Sequence, residues 1–300
     1  MGKIQLADIV HGGIVSALDC SERRKTMNFG NASWGFRETP LEEALKITKD
    51  MGLSVFELGI ANAEKDVPLD ASDSELKNIK ELYKKYDIDI SCAATGNDFS
   101  NGDKNDVEKI KKVIDISEKL GVRYLRIFAG FSPVDDVTGD KWSNMTECIC
   151  EVNEYALKHN VTPVIETHGG VNVYDDGVEH FYSTSSKPEA LYKMLSEIPD
   201  SVKVNFDPAN LWAVGEKSPE EIYNKIKDRV VVTHLKDFAD LPSGHIKPAS
   251  CGESDMDWSK ILNALKDFEG YALFEYENTD DIKEGSIRCY DYIKKVEETI

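Results

Sequence analysis

Two hydrophobic rhythms alternate along the chain. Short runs rich in β-branched and aromatic residues recur at 27–33 (MNFGNAS), 54–59 (SVFELG), 87–94 (DIDISCAA) and 123–130 (RYLRIFAG). They continue at 162–168 (TPVIETH), 202–207 (VKVNFD), 230–237 (VVVTHLKD) and 271–277 (YALFEYE). Between them, apolar residues recur three and four positions apart, the period of a helix with one buried face. In 41–51 the set is Leu41, Ala44, Leu45, Ile47, Thr48 and Met51. The same spacing predicts helices over Ser74–Tyr86, Val107–Leu120, Met145–His159, Pro188–Ile198, Pro219–Ile226, Trp258–Phe268 and Ile282–Glu297. End signals agree: Ser218-Pro219 forms a cap and first-turn pair, and Gly52, Gly121 and Gly270 follow helix ends.

Eight strand-then-helix units predict an α/β fold, a closed (β/α)8 barrel. A doubly wound open sheet also alternates, but no G-x-G-x-x-G follows an early strand, and eight units leave nothing over. The barrel is expected as a single domain over 27–300, with residues 1–26 as a short N-terminal extension forming a hairpin or flap.

In such a barrel the C-terminal strand ends carry the chemistry. Strand 5 ends in Glu166-Thr167-His168, and strand 6 in Asn205-Phe206-Asp207, followed by Pro208-Ala209-Asn210. Strand 7 ends in His234-Leu235-Lys236-Asp237, and strand 8 in Glu275-Tyr276-Glu277. Alternation puts Val164, Glu166 and His168 on one face, Val230, Val232, His234 and Lys236 on another, and Tyr271, Leu273, Glu275 and Glu277 on a third. Three carboxylates converging with one imidazole repel one another unless a cation neutralises them. Carboxylate-rich ligation with one histidine and no thiolate suits one divalent metal ion, Mn²⁺ first, with Mg²⁺, Co²⁺ and Zn²⁺ as alternatives.

Each residue also has an ordinary structural role. Asp207-Pro208 can start a turn, and Lys236 can pair with Asp237 or Glu275. Arg126 of strand 4 and Glu57 of strand 2 suit ion pairs as well as substrate contacts, and Cys92 suits the core. The succession over four neighbouring strands is what points to a site.

Composition narrows the partners. The 300 residues hold 36 Lys+Arg against 55 Asp+Glu, a formal charge of −19, which disfavours nucleic acid and anionic membrane surfaces. With 41% hydrophobic residues the chain can bury a sizeable core. No apolar run approaches the ~20 residues of a membrane span, and the first residues lack the pattern of a secretory signal. Six cysteines at 20, 92, 148, 150, 251 and 289 form no C-x-x-C pair, as expected of a reduced, cytoplasmic protein.

Four segments carry a family resemblance: Val-Ile-Glu166-Thr-His168-Gly-Gly, Asn-Phe-Asp207-Pro-Ala-Asn210, Thr-His234-Leu-Lys236-Asp237 and Gly270-Tyr-Ala-Leu-Phe-Glu275. They resemble the xylose-isomerase-like TIM-barrel superfamily, which includes sugar phosphate isomerases and epimerases and inosose dehydratases. Cys251-Gly252-Glu253-Ser-Asp-Met-Asp257-Trp258 is similar to its G-x-G-D-I-D-W segment, so the resemblance runs over about 27–298. It implies that Glu166, Asp207, His234 and Glu275 hold the metal. It also selects Glu275 over Glu277 in strand 8, with Glu277 higher at the rim.

In the family's ketose 3-epimerases the two glutamates flank the reacting carbon and exchange its proton. Those enzymes carry His where this chain has Asn210, and Arg where it has Asp240, so Asn210 becomes a candidate substrate contact. The Glu166-x-His168 pair looks instead like inosose dehydratase and 3-dehydroshikimate dehydratase, which makes His168 a candidate acid/base. Glu166, Glu275, His168 and Lys236 are therefore the expected catalytic set.

The first reading is a metal-dependent isomerase or epimerase of a small sugar or keto-sugar, often a homo-oligomer in this family. The alternative is a lyase on the same scaffold: a keto-polyol dehydratase, or a deglycosidase acting through a 3-keto sugar. A phosphodiesterase like endonuclease IV needs many more histidines than six and a basic surface. A non-catalytic sugar-binding protein has no use for this ligand set.

Overall fold

The computed structural model describes residues 27–102 and 104–300; the expected extension, residues 1–26, lies outside the described residues. Eight parallel strands form the barrel: β1 (Asn28–Asn31), β2 in two pieces (Val55–Phe56 and Leu58–Gly59), β3 (Cys92–Ala94), β4 (Tyr124–Ile127), β5 (Thr162–Glu166), β6 (Lys203–Phe206), β7 (Val230–Leu235) and β8 (Tyr271–Phe274). β1 pairs with β8 and with the first piece of β2, while the second piece of β2 pairs with β3. The ring therefore closes through the one residue between the pieces, Glu57.

Besides a short helix Pro208–Ala213 after β6, the α-helices among the described residues are α1 (Leu41–Asp50), α2 (Asp73–Tyr86), α3 (Asn105–Leu120), α4 (Asp140–Lys158), α5 (Pro188–Glu197), α6 (Pro219–Ile226), α7 (Trp258–Ala264) and α8 (Ile282–Glu297). α2 starts at a capping box, with Ser72 accepting from the Glu75 N–H and Glu75 accepting from the Ser72 N–H. α4 begins before the expected Met145, at Asp140, and its first turn already packs Trp142 against the core. The third strand is shorter than the expected 87–94. Asp87 takes a left-handed φ of 54° to end α2, and Asp89 accepts from the Ser91 N–H in a turn.

Layering explains the site. Inside the barrel, Ala32, Val55, Cys92, Val164, Val232 and Leu273 form an apolar floor, with the Tyr124 and Tyr271 rings packed against it. Two residues further along the same faces come Glu57, Arg126, Glu166, His234 and Glu275. The strand period thus converts one Val/Leu layer into one ionisable layer at the mouth. Leu273→Ala removes a fully buried floor side chain directly below Glu275. It is expected to lower unfolding stability by about 2–5 kcal/mol in urea titrations of the metal-free protein.

A four-stranded antiparallel sheet lies over this mouth and was not anticipated. One hairpin, Gly170–Tyr174 with Gly177–Phe181, follows β5; the other, Asp237–Asp240 with Ile246–Ala249, follows β7. They meet at Ile246 and Val178. Gly170 leaves room for the ring of its cross-strand partner within the first hairpin, since a Cβ there would lie 2.1 Å from the Phe181 ring. Among the described residues no helix is long and apolar enough to cross a membrane.

Candidate metal centre

Glu166, Asp207, His234 and Glu275 converge at the barrel mouth, and one ligand-type atom from each lies within 4.8 Å of the others. All four are buried. His234 Nδ1 is the hub, 3.1 Å from Glu275 Oε2, 3.5 Å from Glu166 Oε1 and 4.0 Å from Asp207 Oδ2. Its Nε2 faces Glu57 Oε2 at 3.5 Å, and Glu57 in turn accepts from Ser33 Oγ. A carboxylate behind the second ring nitrogen is the usual device for orienting a ligating imidazole.

Asp207 divides its work between its two oxygens. Oδ1 accepts the Asn210 N–H and caps the short helix Pro208–Ala213. Among the described residues Oδ2 makes no aligned hydrogen bond, although the Lys236 ammonium lies 3.1 Å away, and His234 Nδ1 makes none either. Two buried ligand-type atoms without an aligned hydrogen bond, beside two more carboxylates, fit a divalent cation. The turn-starting and ligand roles expected as alternatives for Asp207 are thus compatible.

Around this cluster stand its supports. Asn210 Nδ2 donates to Glu166 Oε1 at 3.0 Å, and Arg126 Nε lies 3.3 Å from Glu166 Oε2. Arg126 also donates to the Thr95 carbonyl and lies 4.3 Å from the Phe128 ring centroid. Lys236 Nζ lies 2.8 Å from Glu275, 2.7 Å from Glu277 and 3.1 Å from Asp207. Asp237, the other expected partner of Lys236, instead accepts from the Gly252 N–H and Trp258 Nε1.

Electrostatics follow from burial and crowding. Burial raises the Glu166 carboxyl, but His234 and then Arg126 outweigh it and hold it at about 2. Burial likewise opposes Glu275, yet His234 and Lys236 keep it well below the usual range. At Asp207 burial wins, offset only in part by Lys236, and its pKa rises to about 7. Burial disfavours charge on His234, but Glu275 and Glu166 reverse this and raise it well above 6.5. The metal-free cluster therefore carries protons on His234 and, below neutrality, on Asp207, and a ligand must shed them. Divalent-ion affinity is expected to increase from pH 6 to pH 8. Calorimetry in buffers of different ionisation enthalpy should register proton release on binding; a pH-independent affinity without release contradicts the cluster as the binding point.

A cavity of about 510 Å³ opens onto the cluster. Its walls include Trp34, Phe128, Phe131, Phe238, Val171, Val173 and Val178, with Arg37, Asn62, His168, His180 and Glu277 as polar members. Of the expected site residues, Arg126, Glu166, His168, Lys236 and Glu275 line it. Asn210 and Glu57, expected as substrate contacts, do not: each is fully buried behind the cluster and turned onto Glu166 or His234. Glu277 sits nearer the rim, as the register implied. Arg37, Phe128, Phe131 and the cap residues His180 and Phe238 also line the cavity and were not among the expected site residues.

His168 occupies an aromatic slot. Its ring lies 5.2 Å from Phe128, 5.4 Å from Phe131 and 6.1 Å from His180, centroid to centroid. Its Nδ1 meets the Gly169 carbonyl, so Nδ1 donates and Nε2 keeps the lone pair. Burial, partly countered by Glu166, lowers its pKa below 6.5.

The sequence profile of one family, described as xylose isomerase-like TIM barrel, matches residues 45–295. The chain belongs to that family. No curated protein sequence matches it. Solved structures share the fold. The probable 3-DHS dehydratase AsbF from Bacillus anthracis superposes with a TM-score of 0.73 at 14% identity, over 89% of this chain and 99% of that one. The IOLI protein with a bound zinc atom gives 0.71 at 17% identity, over 91% and 99%. An L-ribulose 3-epimerase gives 0.69 at 13% identity, over 91% and 95%.

Proposed function

We propose that the protein is a divalent-metal-dependent lyase that dehydrates a small keto-polyol, taking a proton from the carbon next to a carbonyl and expelling a β-hydroxyl as water. Glu166, Asp207, His234 and Glu275 would hold one ion, with Mn²⁺ the best match to three oxygen donors and one nitrogen. A bound divalent ion supplies carbonyl polarisation, which acidifies the neighbouring C–H. The observation that carries the lyase reading is the state of the two bases. Both oxygens of Glu166 are engaged, one by Asn210 and one by Arg126. His168 Nε2 keeps its lone pair on the cavity wall. In the proposed step His168 Nε2 takes the α-proton, a C=C bond forms as the β C–O bond breaks, and the departing hydroxyl leaves with a proton from His168 or Lys236.

The isomerase or epimerase reading is supported by a different observation: Glu166 and Glu275 both line the cavity. NMR in D₂O separates the two. The Mn²⁺-loaded protein is incubated with a panel of keto-polyols and keto-sugars. An alkene or enone product with loss of water supports the lyase. Deuterium at one carbon with a changed sugar supports the isomerase. No exchange with any substrate, at one Mn²⁺ per chain, refutes both.

A further inference from the structure

Among the described residues three cations, Arg37, Arg126 and Lys236, line the cavity, and two are committed. Arg126 pairs with Glu166, and Lys236 is held by Asp207, Glu275 and Glu277. The third, Arg37, follows the short helical turn Ser33–Phe36 after β1. Its Nη1 donates to the Trp34 carbonyl at 2.9 Å and to the Glu277 carbonyl at 3.0 Å, which uses both Nη1 hydrogens. The guanidinium carbon lies 4.9 Å from the Trp34 ring centroid, which helps fix its plane. Among the described residues no carboxylate pairs with it, although the chain carries 55 acids. What remains is the Nε–Nη2 edge, the parallel N–H pair that matches a carboxylate in bidentate fashion.

We infer that Arg37 anchors a carboxylate of the substrate, so that the substrate class is a keto-polyol acid rather than a neutral sugar. The inference rests on reading this cavity as the active site. A single free guanidinium edge suits one planar monoanion. A phosphate dianion is matched better by several cations, and the other two here are already neutralised. The apolar cavity members Trp34, Phe128, Phe131 and Phe238 suit the carbon skeleton of a ring. A carboxylate fixed on Arg37 would limit which hydroxyl can face His168.

The test uses benzoate and its neutral isostere benzamide as probes, titrated by NMR into the full-length protein, metal-free and Mn²⁺-loaded. In the metal-free wild type, benzoate should bind at least about tenfold tighter than benzamide. Arg37→Leu should erase that preference. Arg37→Lys, which keeps the charge and loses the fork, should retain only a fraction of it and serves alone if the leucine variant does not fold. Equal binding of the two probes, no benzoate binding, or benzoate binding unaffected by either substitution overturns the anchor. Because the decisive titration needs no metal, it stands or falls separately from the metal reading. A preference seen without Mn²⁺ in a protein that never takes up the ion would keep Arg37 and refute the metal centre.

Discussion

An Asp207→Asn variant is expected to lose stoichiometric divalent-ion binding and activity while keeping its fold. Asparagine retains an Oδ1 acceptor, so the cap on the Asn210 N–H survives. What changes is Oδ2, which becomes an NH₂ donor facing Lys236 and His234. It cannot ligate, and one negative charge leaves the cluster. Affinity should fall more than the roughly 10–100-fold typical of an outer-sphere change, measured by metal content after dialysis. Retention of one equivalent of ion by the variant would remove Asp207 from the centre.

The same substitution has an opposite effect without metal. The Asp207 carboxyl is raised by burial to about 7 from an ordinary 3.8. A raised pKa means that the folded state prefers the protonated form. The stability this contributes is complete below about 3.8 and is lost as pH climbs through about 7. Between pH 5 and pH 8 the melting temperature of metal-free wild type should therefore fall relative to that of the Asp207→Asn variant. Asparagine is neutral at both, so the metal-free variant should melt at or above the wild type at pH 8. A variant that melts lower there would mean that the Lys236 ammonium beside Oδ2 stabilises the charged carboxylate by more than its burial costs.

Much of this architecture is legible in the chain because each barrel unit declares its own period. Val164-x-Glu166, Val232-x-His234 and Leu273-x-Glu275 repeat one rule, an apolar floor residue followed two positions later by an ionisable one. Any reading that found the strands found the cluster with them. The cap was illegible for the converse reason. Most of Gly170–Phe181 is solvent-facing, and its inward residues meet a cavity rather than a core, so no buried alternation marks it. Only the two-residue Asp175-Asp176 loop between VNVY and GVEHF hinted at a hairpin. Glu57 and Asn210, expected as substrate contacts, stand behind the cluster on His234 and Glu166 rather than on the cavity wall. Sequence spacing says which face a residue shares, not how far from the axis it stops. Arg37 and Phe131 sit beyond strand ends, where neither period applies, whereas Phe128 shares a face with Arg126 in the expected strand 123–130, where an aromatic ring looks like core.

Removing the His168 imidazole is the second change expected to have a large effect, and it decides between reaction types. His168→Ala leaves Glu166, Asp207, His234 and Glu275 in place, so divalent-ion binding should persist. Loss of a positioned general acid/base lowers kcat by about 10²–10⁴. That range is expected here, because Glu166 is held on both oxygens and cannot easily replace the missing base. The slot left between Phe128 and Phe131 is lined by flat rings. Free imidazole added to the variant should therefore restore part of the rate, which a residue that merely packs would not permit. Wild-type D₂O exchange at the α-carbon should vanish in the variant together with product. If His168→Ala costs only a fewfold, while Glu275→Gln with its ion still bound abolishes turnover, the proton moves between glutamates. The protein is then an isomerase or epimerase, and the free lone pair on His168 serves only to bind substrate.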